Sequence, residues 1–248
     1  MKKSNHKTKV ICIILTYNCA TLVAQTFKNI PKKGIDKIIL VDDGSSDNTM
    51  EVARKLGITS FSHKHLGYGG NIKFALNKAL EMGADYMIEV HGDGQYDPSI
   101  IPSALEEIRK GYVLLLGSRF VDKRQPLKDG MPLERYIANI LLSYFYQLIL
   151  RTQLTEFHTG FHIYTKKFLN SVGFTNTSNG HIYSLEIIFQ AIYKKLPITE
   201  VPIRCNYKKK HTSISIKNSI IYSFQSIALS FEYILAKVGI KRGIFKTY

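Results

Sequence analysis

Short, largely apolar runs alternate with helix-like patterns across residues 10–117, and this alternation is the feature that most constrains the fold. Runs of this kind are typical of strands that are buried on both faces of a sheet. They lie at residues 10–15, 38–41, 58–61, 86–90 and 112–116. Because helical patterns separate them, the sequence predicts a doubly wound α/β fold with a mostly parallel sheet flanked by helices.

Helical patterns fill the gaps between these runs, at residues 20–30, 48–56, 70–82 and 99–110. Asp47 is a candidate N-cap for the second of these helices. Gly57 and Gly83 follow the second and the third, where glycine commonly ends a helix. The predicted order is therefore strand and helix in turn as far as residue 117.

The pattern changes after residue 117. We predict a turn-rich loop, a long apolar helix, a strand, a helix and a strand, at residues 125–132, 133–150, 161–164, 184–193 and 198–203. The sequence has no internal repeat. We therefore predict one domain over residues 1–212, followed by an appended amphipathic helix with a basic tail over residues 213–248.

The appended helix has apolar residues at alternating steps of four and three, which is a heptad-like stripe. The stripe consists of Ile220, Phe224, Ile227, Phe231, Ile234 and Val238. Three interpretations stay open for it. The helix packs on its own domain, lies on an anionic membrane surface, or forms the seam of a homodimer.

Two acidic clusters follow predicted strands, with the sequences VDDGSSDNT at 41–49 and HGDGQYDP at 91–98. Open α/β sheets bind ligands at the carboxyl ends of their strands, so both clusters are predicted to lie at a ligand site. If the chain stays extended after the strand, His91, Asp93 and Gln95 point the same way and converge on one cation. Oxygen ligands suit Mg²⁺ or Mn²⁺, and an imidazole favours Mn²⁺. A solvated Asp–Gly turn is the alternative.

The first cluster has two interpretations as well. Asp42 and Asp43 either hold a ribose or a base edge or shape the turn before the next helix. The glycine-rich stretch at 67–71 precedes a predicted helix, where backbone N–H groups can hold a phosphate. These observations favour a nucleotide diphosphate with a divalent cation as the ligand.

Five motifs in this order resemble glycosyltransferase family 2, and within it the dolichyl-phosphate mannose synthase-like branch. They are TYN at 16–18, VDDGSSDNT at 41–49, GYGGN at 67–71, DGQYDP at 93–98 and GSRF at 117–120. Two later stretches, HTGFHIY at 158–164 and EVPI at 200–203, fit the same branch. The resemblance covers roughly residues 9–210.

The resemblance implies that residues 1–212 are a GT-A glycosyltransferase domain with a nucleotide-sugar donor of the UDP or GDP type, a divalent cation and inversion at the sugar carbon. By motif position, Asp93 and Gln95 would coordinate the cation, with His91 where the family has a first aspartate. Arg119 would face the acceptor phosphate or the donor diphosphate. The residues implied in donor binding are Thr16, Tyr17, Asn18, Asp42, Asp43, Gly70, Lys73 and Gly92.

The nature of the acceptor decides whether the reaction needs a general base. A sugar hydroxyl must lose a proton, and Glu156 and His158 are the candidate bases, with a structural hydrogen bond in a turn as the alternative. A polyprenyl phosphate is already anionic and needs no base. The basic run at 207–211 is a candidate clamp on the donor phosphates or a lipid headgroup, or else a solvated charge run.

The chain is strongly basic, with 34 Lys and Arg against 19 Asp and Glu and a formal charge of +15. Its partner is therefore predicted to be anionic. Nucleic acid is disfavoured because the aromatic residues sit inside apolar runs and the acidic clusters would repel phosphate. The predicted acceptor is a polyprenyl phosphate or a lipid-linked or surface glycan. A catalytically inactive, nucleotide-sugar-binding partner subunit is the alternative, since one carboxylate of the Asp-x-Asp motif is missing.

The sequence also gives an expectation for location. Its three cysteines show no paired spacing, which is typical of a reducing compartment. The apolar run after the basic N-terminus is too short for a signal peptide or a membrane span. We therefore expect a cytoplasmic protein that contacts the inner face of the cell membrane peripherally.

Overall fold

The computed structural model describes residues 7–207 and 216–246, without the side chains of 216–219. The described strands are β1 (Val10–Thr16), β2 (Lys37–Asp42), β3 (Thr59–Ser62), β4 (Tyr86–His91), β5 (Leu114–Ser118), β6 (His162–Thr165) and β7 (Ile198–Pro202). The described helices are α1 (Val23–Asn29), α2 (Thr49–Lys55), α3 (Tyr68–Glu81), α4 (Ile101–Ile108), α5 (Gln125–Lys128), α6 (Leu133–Leu150), α7 (Lys166–Ser171), α8 (Tyr183–Tyr193) and α9 (Ile216–Lys237).

The described strands form one seven-stranded sheet in the order β3-β2-β1-β4-β6-β5-β7. Pairing is parallel except at β6, which runs antiparallel to both β4 and β5. The prediction of a mostly parallel sheet is confirmed, and the antiparallel strand is the feature that the sequence did not predict.

Helices cover both faces of the sheet. Ile11 and Ile13 of β1 face one apolar cluster, which includes residues of α3, α6, α8 and α9. Cys12 and Ile14 face a second cluster on the opposite side, which includes residues of α1, α2 and α4. Because successive residues of a strand point to opposite faces, this arrangement explains why the first run is apolar at every position.

Several predicted boundaries differ from the structure. The strand predicted at 112–116 begins at Leu114, and the loop predicted at 125–132 contains α5. Residues 98–100 form a 3₁₀ turn, and α4 begins after it. The sequence did not predict α7, although Thr165 gives an N-cap signal, since its hydroxyl accepts the Phe168 amide at 3.0 Å.

Asp47 does not occupy the N-cap position of α2, which is Asn48. Its carboxylate nevertheless accepts the Thr49 amide at 3.0 Å and the Ala20 amide at 3.0 Å. Asp47 therefore satisfies a first-turn N–H and also ties α2 to the loop that follows β1.

Helix α9 packs on the domain, but through a different face from the predicted stripe. Leu229, Tyr233 and Ala236 are buried in the cluster that contains residues of α6 and α8. The stripe itself is exposed, and Phe224 and Val238 keep 70% and 71% of their accessible surface. Within the described residues, no helix is both long enough and apolar enough to cross a bilayer.

Replacing Gly69 by alanine should lower the free energy of unfolding by about 1–3 kcal/mol, because an added methyl group overpacks this junction. The new Cβ would lie 2.5 Å from the Ser178 carbonyl oxygen and 2.7 Å from Tyr183 Cβ. Urea unfolding followed by circular dichroism measures the change. Gly180→Ala is the matched control, since its Cβ would meet Ser178 Oγ at an ordinary 3.4 Å. Equal unfolding midpoints for the two variants would contradict this prediction.

Candidate functional site

The carboxyl ends of β1, β2 and β4 lie side by side. Thr16 pairs with Asp42, and Leu15 pairs with His91. Two further bonds continue the pairing beyond the strands, since the Asp43 amide donates to Thr16 O at 2.9 Å and the Gly92 amide donates to Leu15 O at 2.8 Å. The structure therefore brings the two acidic clusters and the motif at 16–18 together at one edge of the sheet.

Asp42 is fully buried and holds the surrounding loops. Its carboxylate accepts the Thr16 hydroxyl at 3.0 Å, the Ser45 amide at 2.9 Å and the Ser62 hydroxyl at 3.3 Å. Asp43 is also buried, and it accepts the Leu66 amide at 2.7 Å. In this structure both carboxylates shape the loops that follow β2 and β3, which is the turn interpretation of the first cluster. We call the space between the loops that follow β1, β2 and β4 the crevice.

Tyr17 and Asn18 form the loop that follows β1. Asn18 has a φ of 53°, donates its amide to Ser45 Oγ at 2.7 Å and accepts the Ser46 amide at 2.9 Å. Tyr17 is 42% exposed, and its ring centroid lies 4.7 Å from that of His65. The loop thus presents an aromatic ring at the mouth of the crevice, and its contact with a nucleoside stays a prediction.

Two glycine amides at the start of α3 already have partners within the protein. The Gly69 and Gly70 amides donate to the Asn179 carbonyl at 2.8 and 3.3 Å. A Cβ on Gly70 would lie 2.5 Å from Leu66 Cβ, so close packing accounts for this glycine. Lys73 donates to the Thr177 carbonyl at 2.6 Å. In the described geometry these amides are engaged within the protein, and the phosphate interpretation of this stretch stays a prediction.

The chain turns at the end of β4 instead of staying extended. Gly94 has a φ of 64°, and its amide donates to His91 O at 3.3 Å. Asp93 is 7% exposed and accepts the Gln95 amide at 3.0 Å. Gly92 packs against β1, since a Cβ there would lie 2.6 Å from Thr16 Cγ2. The extended spacing predicted for the three cation ligands is therefore wrong, although the residues remain neighbours.

His91 bonds to a buried carboxylate that the sequence analysis missed. Its Nε2 lies 3.2 Å from Glu89 Oε1, and Glu89 also accepts the Tyr164 hydroxyl at 2.6 Å and lies 2.9 Å from His162 Nδ1. Burial raises the pKa of Glu89, but the charge and hydrogen bond of His162 outweigh it and lower the pKa to about 2. A glutamate in a fully buried strand was the signal that could have revealed this network.

The donor set at the crevice fits a cation that arrives with a diphosphate. No group of three or more His, Cys, Asp or Glu side chains is placed to hold a metal ion in the part of the chain that the structure describes. Mg²⁺ typically binds through one or two carboxylates and completes its shell with substrate phosphates and water. Asp93 would supply such a carboxylate, and the roles of Asp93, Gln95 and His91 as ligands stay predictions.

Arg119 and Glu156 form a buried ion pair beyond the end of β5. Arg119 is 7% exposed and Glu156 is fully buried. The Arg119 guanidinium donates to both carboxylate oxygens, and the Arg119 amide donates to Glu156 Oε2 at 2.7 Å. Arg119 NH1 also donates to the Tyr207 hydroxyl at 2.7 Å. Glu156 is therefore the counter-ion of Arg119 in this structure.

His158 lies next to this pair and bonds to α9. Its Nδ1 is 2.8 Å from the Tyr222 hydroxyl. Burial, and then the positive charge of Arg119, lowers the pKa of His158 to about 3. The imidazole is therefore neutral near pH 7 and a weak proton acceptor.

The segment after β7 leads to the basic run. The Asn206 amide donates to Gln95 O at 2.8 Å, and the Tyr207 hydroxyl contacts Arg119. The rest of the predicted clamp, Lys208, Lys209, Lys210 and His211, lies outside the described residues. Asn206 and Tyr207 thus contact Gln95 and Arg119 directly before the basic run, and the clamp stays a prediction.

Known proteins share this fold and parts of this sequence. Residues 11–173 match the family described as Glycosyl transferase family 2. The chain is 27% identical over 238 residues to a UDP-N-acetylglucosamine–dolichyl-phosphate N-acetylglucosaminyltransferase of Methanococcus voltae, with 86% of this chain and 93% of that protein covered. It is 23% identical over 174 residues to a polyprenol monophosphomannose synthase of Mycolicibacterium smegmatis, with 67% and 65% covered.

A solved structure shares the fold of this chain. Glucosyl-3-phosphoglycerate synthase from Mycobacterium tuberculosis, in complex with Mn²⁺, UDP and glucosyl-3-phosphoglycerate, matches with a TM-score of 0.67 at 17% identity, and 95% of this chain and 81% of that one are covered. At this identity the likeness establishes the fold alone. The predicted GT-A arrangement is confirmed.

Replacing Glu156 by alanine should lower the free energy of unfolding by about 3–5 kcal/mol, because it leaves the Arg119 charge buried without its counter-ion. Denaturant titration measures the loss. The matched control is the double variant Arg119→Leu with Glu156→Leu, which removes both charges and should be clearly more stable than the single variant. Equal stability of the two variants would show that the ion pair does not hold this region together.

Proposed function

Since the chain belongs to glycosyltransferase family 2, in its dolichyl-phosphate mannose synthase-like branch, we propose that it transfers a sugar from a UDP-sugar to a polyprenyl phosphate. The proposed reaction inverts the configuration at the anomeric carbon and requires Mg²⁺ or Mn²⁺. The enzyme prediction is confirmed at the level of the family, whereas the donor, the acceptor, the cation and the inversion are proposals.

The burial and charge environment of the two candidate bases, Glu156 and His158, is the observation from which we choose the class of acceptor. Glu156 is fully buried and paired with Arg119, and His158 has a pKa lowered to about 3 by burial and by the Arg119 charge. A sugar hydroxyl would need one of them to accept its proton in the transition state. A phosphate monoester carries its own negative charge, so neither group has to act as a base. This favours a lipid phosphate over a glycan hydroxyl.

The two named relatives support the same class of acceptor. One is named for transfer to dolichyl phosphate and the other for the synthesis of polyprenol monophosphomannose. The first is also named for UDP-N-acetylglucosamine, and the structural neighbour was solved with UDP. A UDP-sugar is therefore the donor that we propose, and a GDP-sugar is the alternative that the experiment below tests.

The proposed transfer is a single in-line displacement. A phosphate oxygen of the acceptor attacks the anomeric carbon from the side opposite the diphosphate. The bond between that carbon and the β-phosphate oxygen breaks, and UDP leaves with the bonding electrons. The configuration at the carbon inverts, and no proton has to be removed from the acceptor.

Asp93 would hold the divalent cation at the end of β4, and a bound cation would neutralise the charge that builds on the leaving diphosphate. Tyr17, which is exposed in the loop after β1, would stack on the base of the donor. The basic run that begins after Tyr207 would supply further positive charge beside the phosphates. These assignments put the donor over the carboxyl ends of β1, β2 and β4.

Asp93→Asn should abolish the cation-dependent binding of UDP. In a thermal-shift assay, UDP with Mn²⁺ should raise the melting temperature of the wild type by mass action, and GDP should raise it less. The variant should lose the Mn²⁺-dependent part of this shift and the transfer activity with it.

Asp97→Asn is the matched control for that experiment. Asp97 is exposed and accepts the Ser99 amide at 3.0 Å, four residues from Asp93 in the same turn-rich segment. It should keep the full UDP shift. If Asp93→Asn behaves like Asp97→Asn, the proposed cation site is wrong.

His158→Gln should reduce kcat/KM for transfer to polyprenyl phosphate by less than about tenfold, since removal of a general base costs about 10²–10⁴-fold. Glutamine retains a group that can hydrogen-bond the Tyr222 hydroxyl. The pH–rate profile between about pH 5 and 8 should keep its wild-type shape, because His158 titrates far below this range. A loss above about a hundredfold together with a changed profile would identify His158 as a base and rule out this part of the proposal.

A further inference from the structure

Two neighbouring helices carry rows of exposed apolar side chains. Helix α6 contributes Leu133, Ile137, Leu141, Tyr144, Phe145 and Leu148. Helix α9 and the residues directly after it contribute Ile220, Ile221, Phe224, Ile227, Phe231, Ile234, Val238 and Ile240. Most of the large apolar side chains that are exposed in the described part of the chain belong to these two rows.

Each row lies on the side of its helix that faces away from the core. In α6, Tyr146 and Leu150 are buried, and Leu148 between them is 79% exposed. In α9, Leu229 and Tyr233 are buried, and Phe231 between them is 64% exposed. The two helices touch each other and pack on the same side of the sheet. We call these two rows together the α6–α9 apolar face.

An exposed apolar face of this extent is unusual for a protein whose whole surface is in contact with water. Large exposed patches generally mark a binding site for a protein, a ligand or a membrane. A helix that lies in a membrane interface has an apolar face of large side chains and basic residues beside it. The charges around the α6–α9 apolar face therefore decide between its candidate partners.

Basic residues lie at both ends of the face. Lys237, Lys241 and Arg242 are exposed at the end of α9. The segment before α6 adds the basic residues Lys123, Arg124 and Lys128, and the exposed acids at this end are Asp122 and, in the first turn of α6, Glu134. Lys123 links these basic residues to the apolar row of α6, since its Nζ donates to the hydroxyl of Tyr144 in that row at 2.8 Å.

This charge pattern favours an anionic lipid surface over a second copy of the chain. Anionic lipids attract basic residues near the bilayer by about 1 kcal/mol each. A homodimer seam would instead bring two basic surfaces together on a chain with a net charge of +15. Charge complementarity thus selects the membrane among the partners considered for this helix.

We propose that the α6–α9 apolar face is a docking surface for an anionic lipid bilayer. The two helices lie flat in the interface, with the apolar rows at the boundary of the acyl chains and the lysines and arginines among the headgroups. The chain thereby binds the membrane without a spanning helix.

The position of the face also suits the proposed reaction, and this step rests on the proposed function. Tyr222 of α9 bonds to His158, and the His158 carbonyl lies 3.5 Å from the Arg119 guanidinium. The membrane surface would thus adjoin the Arg119 side of the crevice. A polyprenyl phosphate that stays anchored in the bilayer can bring its headgroup to the site from this direction.

The experiment is sedimentation of the full chain with lipid vesicles in the absence of substrates. Wild-type protein should bind vesicles of phosphatidylcholine and phosphatidylglycerol, bind vesicles of phosphatidylcholine alone much less, and dissociate as salt is raised. The double variant Phe224→Gln with Phe231→Gln and the single variant Leu148→Gln should lower binding, the double variant on the order of tenfold. All three side chains are exposed, so the fold should be retained.

Leu56→Gln is the matched control for Leu148→Gln. Leu56 is also exposed, but it follows α2 on the opposite side of the sheet, so this variant should bind vesicles like the wild type. Each variant should keep the thermal shift with UDP and Mn²⁺, which separates loss of membrane binding from loss of the proposed donor site.

Three results would overturn the proposal. The first is a wild-type chain that does not sediment with phosphatidylglycerol vesicles. The second is binding that is equal in the wild type, Leu148→Gln and the double variant. The third is a wild-type dimer in analytical ultracentrifugation that the double variant converts to a monomer while vesicle binding persists, which would assign the face to a second copy of the chain.

Discussion

The buried ion pair between Arg119 and Glu156 is the interaction on which the part of the site beyond β5 depends. A charge buried without a partner costs several kcal/mol, so each of these residues fixes the position of the other. Through the same guanidinium, Arg119 joins the end of β5 to the loop that carries Glu156 and His158 and to Tyr207, where the described chain stops before the basic run. Three segments far apart in sequence thus meet at one charge.

Buried charge is also compensated by neighbouring side chains and amides at the carboxyl ends of β2 and β4. Glu89 sits in the middle of the sheet and is surrounded by His91, His162 and Tyr164, which keep it ionised and fix the imidazole at the end of β4. Asp42 is enclosed by hydroxyl and amide donors from the loops of the crevice. Glu89 and Asp42 therefore have structural roles around the crevice. Asp93 differs from them, because it lies in the turn where the family resemblance implies the cation.

The fold was largely predictable because each strand has a recognisable local sequence pattern. An apolar run such as the one at 10–15 specifies a strand buried on both faces, whatever the rest of the chain does. The site was less predictable because its details depend on distant partners. The Asn179 carbonyl accepts hydrogen bonds from the Gly69 and Gly70 amides, and no local sequence pattern indicates this contact. Gly94 was visible in the sequence, but its positive φ, which turns the chain away from an extended path, was not.

Helix α9 shows the same limit in another form. Its period revealed an apolar stripe, but the face that packs on the domain includes Ser226, Ser230 and Ala236, which are small and nearly fully buried. The same face also carries the large side chains of Leu229 and Tyr233, which are buried in the core, and the small residues beside them let the helix approach the domain closely. Burying apolar surface stabilises a protein by about 25 cal/mol per Å². A helix that leaves large apolar residues such as Phe224 exposed does not gain that stabilisation in water, and a lipid surface is the environment in which burial of these side chains would supply it.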